Sequence, residues 1–444
     1  MWDSYEQFKF QLDAVLWNLY DWLDLKVLKR QPVPDDDIAE KDNYCYLIHR
    51  PGSINQVRKR KMAENECTIG YNLPPLSPGP VITIPETLPE DCVLLKVTHF
   101  SVNYADVCIR WGLYDSANKF VGWPICPGFD VAGVVERAGT KAGFKPGDSV
   151  FGATLFGGYS SRVLVPVRQL RKVPKGLEPE RAAALPAVCH TAVHALHLAG
   201  FSPDVAPRTT NKGVLVHSAA GGVGTMLCTL AKRFGCSPVV GVVGRPQKIQ
   251  TLKDMGICDS VVLKTELWQQ RKAKAAVVAS SKKLDDYNVV EDMSSPSRGD
   301  DVGDDEFQAI FDANGQETLA KSYSHLAQGG RLIIYGFHTN VPSASAAAFL
   351  SPWQWLKMLY KMVQGMPRFD PMNMTVASKG AIGFNLSFFA KETEVLKYYF
   401  DMIVGYVEKG VIGKAIPVTV LKDAREAHTV LSSAASVGKL VVEL

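Results

Sequence analysis

Residues 214–224 read Val214-Leu215-Val216-His217-Ser218-Ala219-Ala220-Gly221-Gly222-Val223-Gly224. An apolar run feeds small residues, and Thr225 to Phe234 follows with apolar positions at helical spacing. That order predicts a strand, a tight turn and a helix. The turn then sits at a helix start, where unpaired backbone N–H groups and the positive end of the dipole attract an anion. Small side chains let the backbone approach a diphosphate, so Ala219, Ala220, Gly221, Gly222, Val223 and Gly224 are the expected cradle of a dinucleotide. A tight turn with no ligand would use the same residue types. The alternating strands and helices around it favour the nucleotide.

The next strand ends at Val242-Val243-Gly244-Arg245-Pro246-Gln247-Lys248. An acid at this place would bind the ribose hydroxyls of NAD, and none is present. Arg245 and Lys248, beside Gly244, are instead expected to neutralise a 2′-phosphate, which implies NADPH. The competing reading makes both cations solvated charges at a helix start.

Working outward, strands are expected at Val239 to Val243, Ser260 to Leu263, Ala309 to Phe311, Arg331 to Tyr335 and Ala381 to Phe384. With Gly213 to His217 they make six, and crossovers between them predict an α/β fold with a doubly wound parallel (Rossmann) sheet over 188–388. Residues 271–305 interrupt it with a polar tract, expected to be a mobile surface insertion. Before it, 41–187 carries short β-rich runs with Gly and Pro turns, such as Lys145-Pro146-Gly147-Asp148, and predicts a compact β domain. The tail 389–444 supplies a helix around Leu396 to Val407 and a last strand at Leu440-Val441-Val442, expected to return to the β domain. Residues 3–30 read as an amphipathic helix ended by Pro32 and Pro34, within an extension spanning 1–40. Its tryptophans suit docking on the body, a partner or a membrane interface, with docking on the protein itself favoured.

The composition bounds the alternatives. Of 444 residues, 46% are hydrophobic and 21% charged, with a net charge of +4. That is globular, long enough for two domains, and too balanced for a nucleic-acid surface. The basic quartet Arg58-Lys59-Arg60-Lys61 is expected to be a solvated loop. Nine scattered cysteines without a C-x-x-C pair suit a reducing compartment, and the acidic N-terminus is unlike a presequence, so a cytoplasmic location is expected. No apolar run is long enough to span a bilayer.

Asn211 through Gly224 resembles the quinone oxidoreductase, or zeta-crystallin-like, signature of the medium-chain dehydrogenase/reductase superfamily, with Thr229 where that pattern has Gln and Lys232 at its closing basic position. Ser101-Val102-Asn103-Tyr104-Ala105-Asp106, Trp111-Gly112-Leu113-Tyr114 and Pro127-Gly128-Phe129-Asp130 resemble the early active-site stretches of the same family. Phe311-Asp312-Ala313-Asn314-Gly315, Tyr335-Gly336-Phe337-His338 and Gly383-Phe384-Asn385-Leu386 are similar to its vesicle amine transport protein branch. The resemblance implies a GroES-like β-barrel catalytic domain formed by 41–187 and 389–444, beside the Rossmann domain. It also implies a homodimer.

By motif position the resemblance assigns Asn103 to the carboxamide or substrate oxygen, Thr191 to the nicotinamide, and Asn314, Gly336, Phe337, His338, Phe384 and Asn385 to the cofactor. Tyr114 is either a hydrogen-bond or proton donor, or packing. Asn103 and Phe129-Asp130 stand where zinc-dependent relatives place Cys and His-Glu, so a catalytic zinc is not expected. His190, His194 and His197 share a helical face and read as core or surface histidines rather than a metal site. Cys108 replaces a family tyrosine and reads as a buried thiol. Ala434 replaces a family arginine, with Lys439 as a partial substitute.

The reading that follows is a zinc-independent, NADPH-dependent reductase of quinones or α,β-unsaturated carbonyls. Two alternatives stay open: a nucleotide-binding but catalytically idle adaptor in peripheral contact with membranes through its N-terminal helix, and a reductase of enoyl thioesters. Residues 341–375, rich in Trp and Met, are expected to roof the substrate cleft or to bury a dimer surface.

Overall fold

The computed structural model describes residues 2–70, 79–202, 213–267, 307–340, 353–357, 360 and 366–444. The polar tract 271–305 lies outside them, as do 341–352 and parts of 358–365.

A six-stranded parallel sheet runs in the order Ser260–Leu263, Val239–Val243, Val214–Val216, Phe307–Asp312, Leu326–Ile334, Gly380–Gly383. Its three central strands, from Val239–Val243 to Phe307–Asp312, are buried at every position, because helices cover both faces and no alternation is required. The chain reverses direction across the sheet between Val214–Val216 and Phe307–Asp312, so the loops after these two strands diverge and open a crevice at their carboxyl ends. Gly241 has no room for a side chain: a Cβ there would come 2.7 Å from Cys258 Sγ and 3.1 Å from Ala219 Cβ. The neighbouring strand can therefore lie directly under the turn.

The second sheet is built around Cys92–Val102, which pairs antiparallel with Asp130–Ala138, Arg162–Pro166 and the terminal strand Lys439–Glu443. Val418–Leu421 pairs parallel with that terminal strand. The pairing Leu440↔Val102 carries the last strand beside Asn103, at the edge of the crevice. The helix Pro186–Ala199, apolar and ended by left-handed Gly200, packs against the helix Gly222–Arg233 and links the two sheets.

The N-terminal helix spans Trp2–Trp22 and passes into a π-helical turn at Leu23–Val27, shorter than the sequence pattern suggests. It docks on the body: Val15 packs with Val107, Trp111 and Trp355. Asn18 Nδ2 donates to the Trp111 carbonyl at 3.0 Å, and Asp21 accepts from Ser53 N at 2.8 Å and Gln56 Nε2 at 2.6 Å. The basic quartet corrects the expectation of a loop. It forms most of the strand Val57–Met62, paired with Asn43–Ile48, with Lys59, Arg60 and Lys61 ion-paired to Asp423, Glu66 and Asp42. Four consecutive cations on a half-exposed strand give the same sequence signal as a solvated loop. No helix among the described residues is long and apolar enough to cross a membrane.

Candidate active site

One cleft of about 1870 Å³ runs along the junction of the two sheets. A single small-molecule site usually occupies roughly 300–1,000 Å³, so this cleft has room for a dinucleotide and a second ligand.

Its floor is the glycine turn. The helix Gly222–Arg233 begins without an acid in its first turn, and Gly221 at its N-cap offers no side-chain acceptor. The helix start is thus left to an external anion. Gly224 must be glycine, since a Cβ would lie 2.3 Å from Ser218 O and 2.7 Å from Ala219 Cα. At Gly244 a Cβ would meet nothing within 4 Å, which leaves that side of the floor open. A bare helix start, a turn too tight for side chains and an open flank fit the diphosphate of a dinucleotide.

Ala220 and residues 221–224 line the cleft, with Gly244, Arg245, Lys248, Thr191, Gly336, Phe337, His338, Phe384, Asn385, Asn103 and Tyr114. Two expected cofactor residues are not among its lining. Ala219 is wholly buried beneath the turn, and Asn314 is 2% exposed. Asn314 Oδ1 accepts from Ser218 Oγ at 2.9 Å, tying the loops after the two central strands together. Ser218 itself takes the left-handed conformation, φ 54°. Behind it Asp312 Oδ1 accepts from Asn314 N at 2.8 Å, and His217 and Ser322 complete a buried polar network. Ala219 and Asn314 thus brace the turn from beneath.

Arg245 and Lys248 line the cleft with partners already in place. Arg245 Nη2 donates to Ser433 O and Lys248 Nζ to Ser436 O, each at 2.6 Å. Both carbonyls belong to the loop that follows the helix Ala424–Ser432, where Ala434 is left-handed at φ 54°. Sequence reasoning missed this loop because its signal is backbone geometry, not side-chain chemistry. Gly438 N then donates to Ala220 O at 2.8 Å, fixing the end of the loop to the glycine turn.

At the other end Asn103 precedes a short helix, Tyr104–Arg110, and caps it reciprocally with Asp106. Its amide is held from both sides. Nδ2 donates to Asp130 Oδ2 at 2.8 Å, while Oδ1 accepts from Lys439 Nζ. Asp130 Oδ1 accepts from Ala187 N at 2.6 Å and its Oδ2 from Ser101 Oγ at 2.5 Å. Lys439 is therefore a buried partner of Asp130, and its ammonium is committed there, not to the place of the family arginine. The residues at the zinc-ligand positions present an amide and a carboxylate clasping a lysine, which is not a thiolate and imidazole set. Among the described residues no group of three or more His, Cys, Asp or Glu could hold a metal ion. His190 Nδ1 meets Pro186 O at 2.7 Å, His194 Nδ1 meets Tyr399 OH at 3.0 Å, and His197 packs on Tyr398 and Tyr399, so each ring is engaged by the surrounding chain.

Tyr114 OH donates to Asn385 Oδ1 at 3.1 Å, across the cleft from one sheet to the other. Burial pushes its hydroxyl up to about 12, so it stays protonated at neutral pH. Burial likewise raises the Asp106 carboxyl to about 7, against the backbone N–H donors of Asn103 and Gly128 that favour its charged form. Thr191 Oγ1 donates to Ala187 O at 2.7 Å and keeps lone pairs toward the cleft.

A GroES-like barrel and a doubly wound sheet sharing a glycine-floored cleft define a medium-chain dehydrogenase/reductase. Residues 89–175 match the alcohol dehydrogenase GroES-like domain and residues 222–366 the zinc-binding dehydrogenase family. The chain belongs to that superfamily. It is 32% identical over 257 residues to a quinone oxidoreductase of Lama guanicoe, 57% of this chain and 66% of that protein. It is also 32% identical over 181 residues to a highly reducing polyketide synthase of Penicillium oxalicum, 40% of this chain and 7% of the synthase. The chain thus spans less than two thirds of the length of either relative. Escherichia coli quinone oxidoreductase complexed with NADPH shares the fold, with TM-score 0.62 and 20% identity over 90% of this chain and 100% of that one. So does the human synaptic vesicle membrane protein VAT-1 homolog-like protein, with TM-score 0.62 and 18% identity over 91% and 98%.

Proposed function

We propose that this chain is an NADPH-dependent, zinc-independent oxidoreductase that reduces quinones or α,β-unsaturated carbonyls. The observation that carries the reading is the single cleft joining the glycine turn to Asn103 and Tyr114. NADPH, when bound, supplies the hydride. The chain's own residues do the rest. The start of the helix Gly222–Arg233 holds the diphosphate, and Arg245 and Lys248 flank the ribose end. Asn103, clamped by Asp130 and Lys439, presents a fixed amide to the carboxamide or to the substrate oxygen. Tyr114, protonated and aimed across the cleft at Asn385, offers a proton to an oxygen that gains charge. The apolar walls exclude water from the transfer.

The relatives named quinone oxidoreductase favour a quinone acceptor. The stretch similar to a reducing polyketide synthase supports a second reading, reduction of an enoyl thioester. An idle, membrane-associated adaptor would draw on the outward face of the N-terminal helix, where Leu16 is 54% and Tyr20 46% exposed. NADPH and NADH oxidation by the full chain against quinones, enones and enoyl thioesters, with calorimetry for each nucleotide, separates these readings. Nucleotide uptake with no acceptor reduced would leave the adaptor; no uptake of either nucleotide would refute all three.

A further inference from the structure

The N-terminal helix carries two neighbouring stripes. Gln11, Val15 and Asn18 recur at four- and three-residue steps and are buried against the body. Phe10, Ala14 and Trp17 recur at the same steps, one residue behind, and line the cleft that contains Asn103 and Tyr114. The seat is close. Gly112, at φ +74°, has no side chain between the helix and Pro51, and a Cβ there would lie 2.8 Å from Pro51 Cγ and 3.6 Å from Ala14 Cβ. The anchors are polar and deep: Asn18 to the Trp111 carbonyl, and Asp21 to Ser53, Gln56 and Arg50. A helix so fixed is a wall, not a loose arm. Beside it, Cys108 and Leu113 line the same cleft from the helix that Asn103 caps and the turn after it, so the element that carries the reacting end is also the one on which the N-terminal helix docks. Trp17 remains 44% exposed, an apolar surface at the mouth of a cleft already too large for the dinucleotide alone.

We propose that the N-terminal helix is the outer wall of the substrate channel, and that Phe10, Ala14 and Trp17 receive the apolar tail of an extended substrate whose carbonyl end lies at Asn103 and Tyr114. This deepens the reductase reading and rests on it. The substrate class is a quinone or enone bearing a long apolar chain, since Phe10, Ala14 and Trp17 present two aromatic rings and a methyl group, with Lys9 and Asp13 of the same helix lining the cleft beside them.

The test uses the full chain with NADPH and two acceptors, 3-buten-2-one and 1-decen-3-one, and compares kcat/KM. Wild type is expected to favour the long acceptor, and Trp17→Ala and Phe10→Ala are each expected to lower the long-to-short ratio about tenfold. Leu16→Ala, on the same helix but outside the cleft, should leave the ratio as in wild type. Binding of the saturated ketone 3-decanone to the NADPH-loaded chain, read by calorimetry, gives a second measure that needs no turnover. Kd is expected to rise about tenfold in the same two variants. A ratio and a Kd unmoved by both substitutions would overturn the proposal, as would failure of wild type to bind 3-decanone. If neither enone is reduced, the enone part of the reductase reading falls while the quinone part stands, and the calorimetric comparison still decides whether the helix lines a channel for apolar tails.

Discussion

Lys439 Nζ stands 3.2 Å from Asp130 Oδ2, with 4% and 0% of the two side chains exposed. The pair joins the last strand of the chain to the strand Asp130–Ala138 of the barrel, and Asn103 lies between them with its amide bonded to both. Breaking one half of such a buried pair leaves a charge that neither water nor a counter-ion compensates, at a cost of about 3–5 kcal/mol. Lys439→Met is therefore expected to lower unfolding stability in urea by about that amount, and Lys439→Met with Asp130→Asn by less than the sum of the single changes. Equal additivity would mean that the two groups do not act as a pair.

Arg245 and Lys248 make a different kind of prediction, because each already holds a carbonyl of the loop 433–436. A 2′-phosphate would add an acceptor that is charged, and a hydrogen bond to a charged group contributes about 1.5–3 kcal/mol. Arg245→Ala with Lys248→Ala is expected to raise the NADPH Kd by about 10–100-fold while the NADH Kd stays near wild type. Calorimetry with both nucleotides reads this directly. A parallel loss for both would assign the cations to anchoring the loop and not to reading the phosphate.

Asp106 gives stability a pH dependence of known sign. Its carboxyl is raised from 3.8 to about 7 by burial, so between those values the folded chain holds a proton that the unfolded chain has released. Stability on this account is complete below the unfolded value and is lost as pH rises through the folded one, with a slope of at most about 1.4 kcal/mol per pH unit. Asp106→Asn cannot ionise and still offers an acceptor to the backbone of Asn103. Urea unfolding across pH 5–8 is expected to show wild type losing stability relative to the variant as pH increases; a constant difference would place the charged carboxylate in the native state at all these pH values.

Much of this was legible in the sequence. The three central parallel strands announce themselves as short apolar runs because burial on both faces removes any alternation to misread. The glycine turn could be placed to the residue since Gly224 tolerates no side chain. Other features left no such mark. Asn314 and Ala219 match cofactor positions by motif, yet whether a motif residue faces the ligand or braces the turn depends on side-chain direction, which a motif does not encode. The carbonyls of Ser433 and Ser436 were invisible because any residue supplies a carbonyl. Lys439 and Asp130 are 309 positions apart, and only the return of the last strand to the barrel brings them together. The N-terminal helix was visible as an amphipathic periodicity, but which of its faces meets the body and which the cleft is set by the seat at Gly112.

Tyr114 can be a proton donor or a packing residue, and one substitution separates the two. Its ring packs edge-on against Phe129 with centroids 5.9 Å apart, and Phe at 114 would keep that contact. What Tyr114→Phe removes is the hydroxyl, and with it the 3.1 Å bond to Asn385. If the hydroxyl supplies a proton in the rate-limiting step, kcat is expected to fall by about 10²–10⁴-fold with little change in nucleotide affinity. Because burial holds the hydroxyl at about 12, the wild-type rate should show no alkaline limb from this group until pH approaches that value. Tyr114→Phe with wild-type kcat would reduce the residue to packing, and the proton would then have to come from water or from another hydroxyl in the cleft, with Thr191 the first to test.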